Sequence, residues 1–131
     1  MEYKKFECLD EIEKYYVKEI NTYMFEENGR YLNVLFLFDF SVKANIFANN
    51  IKAKGIVCLE LSAVNLDAYD IDASRIIADN IEALTVNVQD KIVYSGKLNI
   101  RYSINCGKLL YIIHWVIGNR RQRIWKHQKN K

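Results

Sequence analysis

Cut in fives from Ile46, residues 46–90 read IFANN, IKAKG, IVCLE, LSAVN, LDAYD, IDASR, IIADN, IEALT and VNVQD. The first position is always Ile, Leu or Val. Every alanine of the stretch stands third, a place otherwise held by Cys58 and Val88. An α-helix turns through about 500° in five residues, so these positions would spiral around its axis instead of forming a stripe. Extended backbone accommodates them: the first and third residues of a pentad share one side, the second points the other way, and the last two turn a corner. Asn49-Asn50, Lys54-Gly55, Tyr69-Asp70, Asp79-Asn80 and Gln89-Asp90 supply residues suited to tight turns. The pattern therefore predicts a β-solenoid with a large aliphatic and a small alanine facing a narrow axis in each pentad.

Stacking charges and apolar residues at the spacing of adjacent strands tests how many pentads close a turn. Four sides pair Lys52 with Asp72, Val57 with Ile77, Val64 with Leu84 and Asp67 with Asn87, but set Leu59 over Asp79. Three sides set Asp67 over Glu82 and Val57 over Asp72. Four-sided coils are favoured, and three-sided coils remain open.

A pentad with an aliphatic centre, frequent alanine and Asp or Asn at its corners resembles the pentapeptide-repeat proteins. The resemblance covers about a third of the chain. In that family alanine precedes the aliphatic residue by two, whereas here it follows, as in Ile71-Asp72-Ala73. This phase looks closer to the Ile-x-Ala-x-x arrays of uncharacterised bacterial proteins. The resemblance implies a right-handed, four-sided coil. Some members of the family imitate DNA with an acidic surface, but the body here is only modestly acidic.

Residues 1–45 are expected to cap the solenoid. Leu9, Ile12, Tyr16, Ile20 and Tyr23 recur at helical spacing and predict an amphipathic helix from Glu7 to Phe25, stopped by Asn28-Gly29. YLNVLFLFDF then alternates, with Leu32, Val34, Phe36, Phe38 and Phe40 on one face, and predicts a buried strand. Residues 91–131 are expected to form an irregular final coil, carried by Ile92-x-Tyr94, Leu98-x-Ile100 and Ile104-x-Cys106, and then a basic tail. The apolar run Leu109 to Ile117 is too short to span a bilayer as a helix. The whole reads as one mainly β domain.

Charge changes this picture at one place. The net charge of +3 conceals five basic and nine acidic side chains in residues 1–40, four and seven in 41–90, and ten basic with no acidic in 91–131. The opening MEYKKFECLDEIEK lacks the pattern of a secretory leader, so a cytoplasmic protein is expected. Cys8, Cys58 and Cys106 have no metal-like spacing, and His114 and His127 lie far from any familiar ligand set. No phosphate-binding glycine loop, nucleophile elbow or HExxH occurs. Neither cofactor nor metal nor small-molecule substrate is indicated.

The expected function is thus a non-enzymatic scaffold whose outer face meets a protein partner or a second copy. In the four-sided register that face is an apolar strip of Val57, Leu59, Val64, Ile77 and Leu84. The alternative is a polyanion-binding module in which Arg120, Arg121, Arg123, Trp125, Lys126 and Lys129 hold nucleic acid or anionic membrane.

Overall fold

The computed structural model describes residues 2–117 and 120–128, with side chains from Glu2 to Ile112. The chain opens with strand β1 (Lys4–Phe6), a 3-10 segment (Leu9–Tyr15), β2 (Tyr16–Val17), a second 3-10 turn (Lys18–Ile20) and β3 (Thr22–Met24). The short strands β4 (Glu26–Glu27), β5 (Arg30–Tyr31), β6 (Asn33–Phe36), β7 (Phe40–Ser41) and β8 (Asn45–Phe47) follow. β9 (Asn50–Tyr94), β10 (Leu98–Ile117) and β11 (Arg120–Gln128) complete it.

These strands stack as a β-solenoid of about five turns. The facing predicted for the pentad is the one formed. All nine first-position aliphatics, Ile46 through Val86, are buried, and so are Ala48, Ala68, Ala73, Ala78 and Ala83. Second-position residues point outward, as Lys52, Asp67, Asp72, Ile77 and Glu82 do, with Ser62 the exception.

Successive coils lie in parallel register. Ile46 faces Leu61 and Phe47 faces Ser62, and side chains within β9 bond to partners 15 residues away. Three pentads therefore make one turn. This corrects the twenty-residue register favoured by the sequence: Val57 does not stack on Ile77, nor Lys52 on Asp72. The juxtapositions that weighed against three pentads, Asp67 with Glu82 and Val57 with Asp72, are exposed and solvated. Each costs only about 0.2–1 kcal/mol, less than the ladders described below supply.

The predicted helix over Glu7–Phe25 is also corrected. Leu9, Tyr16 and Ile20 of its supposed apolar stripe are exposed, whereas Ile12, Tyr15, Thr22 and Phe25 are buried. Asn21, at φ 49°, takes a left-handed conformation that ends the second 3-10 turn. β3 then gains a full set of partners by pairing in parallel with β8, Thr22 to Asn45 and Met24 to Phe47. An open coil edge offers backbone bonds that a lone helix of β-branched and aromatic residues cannot match. Asn28-Gly29 is likewise no helix stop. Both residues have positive φ, 53° and 75°, and form the tight turn joining β4 to β5.

The predicted strand over residues 31–40 is split into β5, β6 and β7. Val34, Phe36 and Phe40 face inward as expected, and Leu37, on the opposite face of that alternation, is exposed at the bend of residues 37–38. The first coil is sealed by aromatics. The Phe6 ring lies 5.7 Å from both Tyr15 and Phe25, and Phe36 lies 4.8 Å from Phe40. Lys4 from the outermost strand ion-pairs with Glu27 at 2.9 Å, and the Tyr15 hydroxyl donates to the same carboxylate.

After β9 the coil continues with looser register. Leu98 faces Ile81, Ile104 faces Val86, and Leu109 faces Ile92, with shifts after Ile100 and Cys106. From Leu109 onward β10 also pairs antiparallel with β11, Ile117 meeting Arg120 and Leu109 meeting Gln128. Most of the basic segment thus belongs to a strand. Among the described residues no helix is long and apolar enough to cross a membrane.

Candidate interaction surface

Successive coils repeat every fifteen residues, and the outer surface is read by stepping through them at that interval. One corner carries a ladder of carboxamides. Asn50 donates to Asn33, Asn65 to Asn50 and Asn80 to Asn65, each across 2.7 Å from Nδ2 to Oδ1. The backbone N–H of Lys97 donates to Asn80 Oδ1 at 2.7 Å and finishes the series. A side chain on Gly96 would collide with that Asn80 oxygen and with the Asp79 carbonyl, so only glycine lets the chain pass there.

A second corner alternates charge. Arg75 reaches Glu60 on one neighbouring coil at 3.1 Å and Asp90 on the other at 2.9 Å. The hydrogen bonds that Arg75 donates to Asp90 and then to Glu60 raise its pKa. At the third corner Thr85 Oγ1 donates to Asp70. These groups bond successive coils to one another.

Between the corners the surface is shallow. One groove of about 620 Å³ is lined by Asp39, Val57, Asp70, Asp72, Thr85 and Asn87. Another of about 530 Å³ lies between Leu35, Leu37, Phe38, Lys52, Lys54 and Tyr69. In the first, the Thr85 hydroxyl is the donor to Asp70 already described, and no histidine or lysine among the described residues lines the groove. Among the described residues no group of three or more His, Cys, Asp or Glu could hold a metal. Burial, aided by the charges of Asp72 and Glu60, pushes the Cys58 thiol up to about 12, which keeps it protonated and unreactive.

The five residues of the expected apolar strip are not brought together as a strip. Val57 is 46% exposed on the side that also carries Ser41 and Asp72. Ile77 is 39% exposed on the side that carries Phe47 and Ser62. Leu59, Val64 and Leu84 occupy the fourth position of pentads on three different sides. Single exposed hydrophobics of this kind are ordinary surface.

Of the expected polyanion-binding residues, Arg120, Arg121, Arg123, Trp125 and Lys126 stand on β11. Their side chains lie outside the described residues, as does Lys129 altogether.

The irregular final coil expected from Leu98-x-Ile100 and Ile104-x-Cys106 stacks on β9, but the exposure of its first side was not part of that expectation. Leu98 and Ile100 occupy the inward positions of the next turn but are only half-buried, whereas Ile81 and Ala83 beneath them are each 1% exposed. Beside them Tyr102 is 82% exposed, more than any other large hydrophobic side chain described. The signal in the sequence was faint: an aromatic without an alternating partner, flanked by Arg101 and Ser103. At the opposite end, β1 carries Lys4 and Lys5 on its edge and an aromatic plug behind it.

Compared with protein families, with curated proteins and with solved structures, the chain finds no match.

Proposed function

We propose that this chain is a non-enzymatic solenoid scaffold that makes its protein contacts at the open last coil, around Leu98–Tyr102, and not along its sides. The observation that carries this reading is the difference between the two ends. One end is sealed by Phe6, Tyr15 and Phe25, while Leu98, Ile100 and Tyr102 leave apolar surface and strand edge in water. Solenoids seal their terminal coils because an open one invites association. A coil left open in an otherwise capped rod is a surface kept for a partner. The coil is read as a variant of the pentapeptide-repeat solenoid, wound right-handed as parallel connections favour, with three pentads per turn. Three free cysteines suit a reducing, cytoplasmic setting.

The test is affinity capture from the source cell with the parent chain and with Ile100→Lys, after circular dichroism shows the same fold. Proteins held by the parent and lost by the variant support the reading. An identical set on both overturns it.

A second reading rests on the ten basic and no acidic side chains of residues 91–131. In it, Arg120, Arg121, Arg123, Trp125, Lys126 and Lys129 hold a polyanion by charge alone. Retention on heparin should then vanish on removal of residues 119–131 and fall steeply with salt, and binding that survives about 0.5 M salt refutes it.

A further inference from the structure

The backbone at the open end has a definite polarity. Lys97 donates its N–H to Asn80 Oδ1 at 2.7 Å and accepts at its carbonyl from the Ile81 N–H at 2.8 Å, so both its groups face the preceding coil. In a parallel ladder the residues of a strand alternate, each turning its N–H and C=O to the same side. Asn99 therefore faces the preceding coil as Lys97 does, and Leu98 and Ile100 turn their N–H and C=O away from the molecule. No described strand pairs with that side of Leu98–Ile100.

We infer that this edge takes an acidic, extended segment of a partner protein as an added strand, a proposal that rests on the contact reading above. Charge selects the partner. Lys97 and Arg101 flank the three-residue edge, and no acidic residue follows Asp90. A second copy pairing symmetrically about Asn99 would set Lys97 against Arg101 twice, and like charges directly opposite one another destabilise a sheet. The N-terminal strand of a second copy fits no better, since it would bring the exposed Lys5 to the cationic edge, and its other cation, Lys4, is already paired with Glu27. A carboxylate-bearing strand meets both flanking cations, satisfies the outward backbone groups, and lays its apolar alternate residues over Leu98 and Ile100. Tyr102 stands beside this edge as an aromatic anchor for the incoming chain.

The proposal is tested with three labelled peptides of equal length and high β propensity that carry Glu, Gln or Lys at alternate positions. Binding is followed by fluorescence anisotropy and by hydrogen exchange at the Leu98 and Ile100 amides. The Glu peptide should bind at least about tenfold more tightly than the other two and should protect both amides. Leu98→Pro removes only an outward donor, so it should abolish binding while leaving the circular dichroism unchanged. Arg101→Glu should reverse the preference between the Glu and Lys peptides. If the Gln or Lys peptide binds as tightly as the Glu peptide and Leu98→Pro abolishes it, acidic selection is wrong and the contact reading stands. If the free chain dimerises and the dimer competes with the Glu peptide, the occupant is a second copy and the proposal falls. If no peptide binds or protects the edge, the proposal and the contact reading fall together.

Discussion

Asn65 Nδ2 donates to Asn50 Oδ1 across 2.7 Å, fifteen residues back along the chain and one coil below. Asn65 in turn accepts from Asn80, so its carboxamide is both donor and acceptor in a series that no other amino acid of its size completes. Asn65→Ala should therefore strand a donor above and an acceptor below, at a cost of about 1–3 kcal/mol. Asn65→Asp keeps the acceptor, loses the donor and adds a charge, and should cost at least as much near neutral pH. Denaturant midpoints of the two variants check this. A change below about 0.5 kcal/mol in both would remove the ladder from the forces that set the turn.

The inward and outward positions of one pentad should respond differently to substitution. Ala73 is buried and Asp72 is exposed, so Ala73→Leu should destabilise by about 1–3 kcal/mol through overpacking, and Asp72→Ser by less than about 0.5 kcal/mol. Thermal unfolding of both variants measures the difference, and equal effects would contradict the facing.

Thiol chemistry offers a readout that needs no substitution. Cys8 is exposed, whereas Cys58 is buried and its pKa lies at about 12 against an ordinary value of 9.0. An alkylating reagent at pH 8 should modify Cys8 promptly and Cys58 only as fast as the coil opens. A folded-state pKa above the unfolded one gives stability that is complete below 9.0 and is lost as pH rises from there towards 12. Urea midpoints at pH 8 and pH 10.5 should therefore fall in that order.

Acid should loosen the N-terminal cap first. Hydrogen bonds from Tyr15 and then Lys4 hold the Glu27 carboxyl below its ordinary value of 4.5. This contribution is present above the ordinary value and is lost as pH falls through the depressed one. Protection of the β1 amides from hydrogen exchange should drop as pH falls below the ordinary carboxyl value of 4.5, and Glu27→Gln should remove most of that pH dependence.

The pentad was legible because burial repeats every five residues, and nine aliphatics in one phase leave no other geometry. The turn length was just as visible, at a position weighed less. Asn50, Asn65 and Asn80 end every third pentad, and Glu60, Arg75 and Asp90 alternate in sign at the same interval. Stacking of exposed second-position residues was the weaker guide, since solvated pairs such as Asp67 and Glu82 cost little. The helix drawn too long had a different cause. Only the 3-10 segments Leu9–Tyr15 and Lys18–Ile20 form within it. Leu9, Ile12, Tyr16 and Ile20 have helical spacing, but the segment answers to the unfilled edges of the first coil, which the local sequence does not display. Asn28-Gly29 between short polar strands was a hairpin signal outvoted by that helix. The open edge at Leu98–Ile100 could not have been found from composition, because it depends on where the ladder stops.

Each coil touches only the coils above and below it, so cohesion passes along the rod one neighbour at a time. With aromatics plugging one end and a bare strand at the other, the rod behaves like a zipper fastened at a single end. Pulled from its two termini, it should give way first at the β10–β11 pairing and then at the Leu98 coil, and surrender length from there in steps of about one fifteen-residue turn, with the Phe6, Tyr15 and Phe25 plug the last to yield.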